Sequence, residues 1–355
     1  MKLNISLAGL RVVRPCAIPL LPAVVLGALF LKASLSLAES APKLLSEPQP
    51  PGRSGTSTDC GNISSSILGR SVGYCVDLPA DYATSSKRYP TLYFLHGLFE
   101  DEQSWIERGG KEILDSLRSQ GQIGDLLVVL PDAGKTFYIN SFDGRDRYED
   151  FFVEELVPTI DRKYRTVPER RERGISGTSM GGYGALHLSM RHPDLFGSAA
   201  AQSAALVPKF PDPLPTDGRW GFYARVLSGP FGSPLNESYW EANSPITLAQ
   251  HPERFASLRL YFDCGDQDRY GFQEGAEVLH NTLAGKHFPH EFVLRSGGHG
   301  WSYLSQYMKY ALLFEWQSFE QGGHTRSDSG GADKSSGAQP KSALAPAEDI
   351  ERSIE

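Results

Sequence analysis

The chain has 355 residues, 40% of them hydrophobic and 22% charged, with 35 Lys and Arg against 42 Asp and Glu for a formal net charge of −7. That is an ordinary globular composition, enough for one large domain or two small ones. No lysine or arginine run stands out, so nucleic acid is not an expected partner.

Lys2, Arg11 and Arg14 precede the apolar run AIPLLPAVVLGALFL (17–31), and the small residues Ser36 and Ala38 follow it. This is the layout of a secretory signal peptide over 1–38, with cleavage after Ala38 and a secreted or periplasmic location. An uncleaved anchor is the alternative, but the run is short for a membrane span and holds Pro19 and Pro22, so no stable membrane association is expected. Residues 39–59 are rich in Pro, Ser and Gly and read as a flexible linker. Residues 322–355 lack aromatics and read as a disordered tail, which leaves 60–321 as the folded unit. Export permits disulfides. Cys60 and Cys75 lie in CGNISSSILGRSVGYCVDL, which alternates and turns like two paired strands; a Cys60–Cys75 bridge is expected, with Cys264 a free buried thiol.

Short apolar runs follow at Thr91–Leu95, Leu126–Leu130, Gly174–Ser176, Leu258–Asp263 and Glu291–Arg295. They suit strands buried on both faces of a parallel sheet. Between them lie helical patterns. Phe152, Leu156 and Ile160 recur every four residues, with Pro158 an irregularity; FQEGAEVLHNTLAGK and YLSQYMKYALLFEWQSF read the same way. The alternation predicts an α/β fold with a mostly parallel central sheet and helices on both faces, with ligands at the carboxyl ends of the strands.

GISGTSMGGYGALHL places a serine between glycines, after a short strand and before a helix. That is the context of a nucleophile elbow, which would present Ser179 as an attacking oxygen on a strained backbone. A serine hydroxyl needs a base and a carboxylate to orient that base. His299, in GGHGW just after a strand, is the candidate base. The spacing of His280, His287 and His290 matches no zinc signature and reads as a solvated face. DCGDQD offers Asp263, Asp266 and Asp268; Asp268 is favoured, since the loop has turned towards the active face there. The backbone N–H groups of Met180 and Leu98 are the candidate oxyanion donors, and His96 is expected to brace the second loop. Trp105, Tyr138, Asn140 and Trp301 sit in loops expected at the active face and are candidate substrate contacts. The segment 202–245 carries several aromatics and reads either as a pocket wall or as satellite packing.

YFLHGLFEDEQSW, RYEDFFVEELVPTID, GISGTSMGGYGAL, YFDCGDQD and GGHGW together resemble the putative-esterase family of α/β-hydrolases. That family includes S-formylglutathione hydrolases, feruloyl and acetylxylan esterases and antigen 85 mycolyltransferases. The resemblance implies Ser179 as nucleophile, His299 as base, Asp268 as orienting acid, and Leu98 and Met180 as oxyanion donors. It implies a serine esterase acting on a small-molecule or glycan ester through an acyl-enzyme, without cofactor or metal. The alternatives are an acyltransferase with the same triad and a non-catalytic binding protein on a hydrolase scaffold.

Overall fold

A computed structural model of the chain describes residues 56–324. The expected signal peptide, nearly all of the expected linker and the tail beyond 324 lie outside the described residues. The strands are β1 (Ser57–Ser64), β2 (Ser71–Leu78), β3 (Thr91–Leu95), β4 (Leu127–Pro131), β5 (Arg173–Thr178), β6 (Ser198–Gln202), β7 (Arg259–Gly265) and β8 (Glu291–Arg295). β1 thus begins inside the segment read as linker.

The strands form one sheet in the order β1-β2-β4-β3-β5-β6-β7-β8. β1 and β2 pair antiparallel with Cys60 opposite Cys75, and β2 pairs antiparallel with β4. From β4 to β8 every pairing is parallel. Cys60 and Cys75 are joined by a disulfide, and Cys264 is free and buried, both as the cysteine spacing predicts.

The principal helices are α1 (Gly110–Ser119), α2 (Val157–Lys163), α3 (Met180–Arg191), α4 (Gly218–Phe231), α5 (Glu237–Asn243), α6 (Phe272–Gly285) and α7 (Trp301–His324). The strands divide their side chains between two layers by strict alternation. Tyr93, Leu95, Leu127 and Val129 belong to the core packed by α3 and α6. Leu92, Phe94, Val128 and Leu130 belong to the core packed by α1 and α7. Burial on both faces explains why these strands read as continuous apolar runs. Just before α2 the chain makes a π-helical turn, Phe151–Leu156, which absorbs the irregularity at Pro158. The last helix runs to His324, past the expected boundary at Gln321.

Behind the sheet, Glu315 of α7 is buried and accepts a hydrogen bond from the Ser198 hydroxyl. A side chain at Gly174 of β5 would fall on the same carboxylate, so the missing Cβ makes its room. Burial pushes the Glu315 carboxyl up to about 8. The parallel strands β3, β5, β7 and β8 all end at one edge of the sheet, and the loops that leave them meet there.

Candidate active site

Ser179 joins β5 to α3 with φ 56° and ψ −116°, a conformation that costs a non-glycine residue about 1–3 kcal/mol. Its neighbours hold it there. A Cβ on Gly177 would strike the Gly181 carbonyl, and one on Gly181 would strike the carbonyls of Leu95 and His96. The start of α3 therefore lies directly on the end of β3. The Ser179 carbonyl accepts from Tyr183 N–H (3.0 Å) and Ala205 N–H (2.9 Å). Met180 opens α3, where free N–H groups and the helix dipole favour negative charge.

The loop after β3 runs beside the serine, with the position of a Gly97 Cβ 3.7 Å from Ser179 Cβ. His96 braces it, as expected. Ala133 N–H donates to His96 Nε2 at 2.9 Å, so Nδ1 carries the hydrogen and donates to the Gly97 carbonyl at 2.7 Å. The Tyr138 hydroxyl donates to the His96 carbonyl at 3.0 Å.

His299 and Asp268 meet above β7 and β8. His299 Nδ1 donates to Asp268 Oδ2 at 2.7 Å, while Oδ1 accepts the Tyr270 N–H at 2.8 Å. The Cys264 thiol approaches Oδ2 at 3.8 Å, and burial raises its pKa. The Asp268 side chain is fully buried. The rings of Tyr270 and Phe272 flank the imidazole edge-on, at centroid distances of 4.8 and 5.4 Å. Gly265 lets the 296–300 loop return over the strand end, since a Cβ there would meet the carbonyls of Gly297 and Gly298.

The other two acids of DCGDQD have different partners. Asp266 accepts the Gly297 N–H at 3.0 Å and fastens the loop. Asp263 is buried, accepts the hydroxyls of Tyr261 (2.5 Å) and Tyr303 (2.8 Å), and is pushed up to about 6 by burial. His280 and His290 are not a solvated face. His280 Nδ1 and His290 Nε2 lie 2.8 Å apart, and the half-buried rings stack on Phe292 and Phe262 respectively.

Ser179, Met180, Leu98 and His299 line one pocket of about 380 Å³. Of the expected substrate contacts, Trp301 lines this pocket and the other three do not. Trp105 is buried against Phe94, in the layer under α1. Tyr138 has φ 60°, which turns its ring into the core against Gly184 and its hydroxyl onto His96. Asn140 is spent on Asp150, with its amide on the carboxylate and its oxygen on the backbone N–H. Loop position misled in each case, because backbone angle and local partners decide where a side chain points.

The segment 202–245 is both wall and packing. Phe222, Tyr223, Val226 and Leu227 from α4 and Trp240 from α5 line the pocket, and Tyr223, Leu227 and Trp240 are also core. Phe137, Glu100, Arg108 and Arg269 are among the lining residues that the sequence did not single out. The far end of the segment is fastened to α3, for the Asn243 carbonyl accepts from Tyr183 Oη and His187 Nδ1, both at 2.8 Å. Among the described residues no helix is long and apolar enough to cross a membrane.

Residues 65–314 match the family model described as Putative esterase. An acetyl esterase of Caldicellulosiruptor saccharolyticus is 27% identical over 270 residues, 72% of this chain and 96% of that protein. An endo-1,4-beta-xylanase/feruloyl esterase of Xylanibacter ruminicola is 35% identical over 131 residues, 34% of this chain and 18% of that protein. A solved ferulic acid esterase superposes with a TM-score of 0.64 at 27% identity, covering 74% of this chain and 98% of that one.

Proposed function

Because the chain belongs to the Putative esterase family and is a serine esterase by that membership, we propose that it is a secreted carboxylic-ester hydrolase working through Ser179, His299 and Asp268. The observation that carries this reading is the 2.7 Å bond from His299 Nδ1 to a buried Asp268 carboxylate, with Ser179 and His299 lining the same pocket. The bond fixes the tautomer that leaves Nε2 free to accept a proton.

Ser179 Oγ attacks the ester carbonyl carbon while His299 Nε2 takes its proton. The N–H groups of Leu98 and Met180 hold the resulting oxyanion. Collapse breaks the bond to the alcohol, which leaves with the proton from His299, and Ser179 keeps the acyl group. Water then repeats the sequence and releases the acid. The aromatic and aliphatic pocket wall suits small or aromatic acyl groups, in keeping with relatives named acetyl esterase and ferulic acid esterase. The Cys60–Cys75 disulfide and the signal-like N-terminal sequence support export.

Ser179→Ala should lower kcat/KM on a short p-nitrophenyl ester by several orders of magnitude while leaving thermal unfolding intact. Near-wild-type turnover by that variant would refute the mechanism. A panel of acetyl, feruloyl, formyl-thioester and long-chain esters, with product analysis in the presence of a sugar acceptor, ranks the acyl groups and separates hydrolysis from transfer.

A further inference from the structure

Glu100 stands between the two loops that carry the reactive groups. Its Oε2 accepts the Gly97 N–H at 2.9 Å, in the loop that also holds Leu98. Its Oε1 accepts the Trp301 indole N–H at 2.6 Å, two residues beyond His299 and at the start of α7. Only 13% of the side chain is exposed, and Arg108 Nε lies 3.7 Å from Oε1. In sequence Glu100 is one of several acids in FEDEQ and looks like any solvated loop residue. In the fold, each oxygen of one nearly buried carboxylate is bonded to a different active-site loop.

We infer that Glu100 is a positioning residue that straps the oxyanion loop to the base loop. The inference rests on the triad reading given above. The bond at Oε2 fixes the Gly97 peptide, and thereby the direction of the next N–H, Leu98. The bond at Oε1 fixes Trp301, which in turn limits how far the 296–300 loop can swing His299 from Ser179. Charge-assisted bonds of this length are about twice as strong as neutral ones, so the strap can hold two loops in register. Both partners are donors. Glutamine in place of Glu100 keeps the shape but can satisfy only one of them, because its amide nitrogen would face the other donor.

The test is steady-state kinetics on a short p-nitrophenyl ester for Glu100→Gln, Trp301→Phe and the double variant, with thermal unfolding measured in parallel. Trp301→Phe cuts the strap from its other end and leaves the carboxylate in place. Each single variant should lower kcat on the order of tenfold to a hundredfold with KM nearly unchanged, since a slightly displaced donor or base is felt in the transition state. In the Trp301→Phe background, Glu100→Gln should cost clearly less than it does alone. Folded single variants with kcat within twofold of wild type would overturn the inference. So would a rise in KM at constant kcat, or losses that simply multiply. Ser179→Ala is run in the same assay. If it stays active, the triad reading fails; if it is inactive while the Glu100 variants turn over normally, only the strap fails.

Discussion

Asp268→Asn tests the proposed orienting acid with a change of one atom. Two donors face separate oxygens of this carboxylate, Tyr270 N–H on Oδ1 and His299 Nδ1–H on Oδ2. An amide offers one acceptor and one donor, so whichever way the asparagine turns, one of these bonds is lost. Tyr270 N–H belongs to the backbone and cannot give up its hydrogen. His299 can, by moving its hydrogen to Nε2 and accepting at Nδ1. That tautomer presents an N–H to Ser179 and cannot take its proton. The expected loss in kcat/KM is about 10³–10⁴-fold, the range for a base held in the wrong tautomer. At about 1.4 kcal/mol per tenfold, this is about 4–5.5 kcal/mol of transition-state stabilisation. The assay is hydrolysis of p-nitrophenyl acetate across pH, with Asp266→Asn as the control. Asp266 is exposed and bonded to the Gly297 N–H, so its variant should lose less than tenfold. A folded Asp268→Asn protein within tenfold of wild type, or an equal loss in Asp266→Asn, would refute the assignment.

Two predictions concern stability. Burial raises the Glu315 carboxyl from its ordinary 4.5 to about 8, so the folded chain holds a proton that the unfolded chain releases. Its contribution to stability is complete below about 4.5 and is lost as pH rises towards 8. Glu315→Gln, which is neutral at every pH, should flatten the fall in Tm between those limits; an unchanged slope would count against a protonated Glu315. Replacing both Cys60 and Cys75 with alanine opens a loop with a sequence separation of 15, which should cost about 3 kcal/mol of stability. Two strands, β4 and β3, stand between β2 and β5, the strand that leads to Ser179, so kcat at 25 °C should hold. A large loss of kcat in folded protein would mean that the β1–β2 hairpin shapes the site.

The strand ends were more legible than what surrounds them. Ser179, Asp268 and His299 each follow a strand end, and a glycine stands within three residues before each of them, so position along the chain fixed position in space. The neighbouring strand β6 carried no such mark. Its sequence is Ser-Ala-Ala-Ala-Gln, without a branched or aromatic residue. The reason lies in the packing. Ala199, Ala200 and Ala201 are fully buried, and the helix start presses so close that a Cβ at Gly182 would meet Ala204. Glu100 escaped for the opposite reason, since nothing in the one-dimensional pattern separates a strap from a solvated acid. Phe222 and Val226 sit in a segment whose two readings both apply, because one helix can pack the core with one face and wall the pocket with the other.

The segment that walls the pocket is moored at Ala205, whose N–H bonds the Ser179 carbonyl, and at Asn243, whose carbonyl accepts from Tyr183 and His187. Both moorings are on Ser179 and the helix that follows it. What lies between them is tied down elsewhere too: Tyr223, Leu227 and Trp240 belong to the core, and the Tyr223 hydroxyl donates to the carbonyl of Tyr270, the ring that flanks His299. Change in the pocket wall is therefore confined to half-buried positions such as Phe222 and Val226, which line the pocket and pack against the core without being buried in it. Substitutions at Phe222 and Val226 that keep Ala205, Tyr223, Trp240 and Asn243 reshape the wall without loosening what holds Ser179.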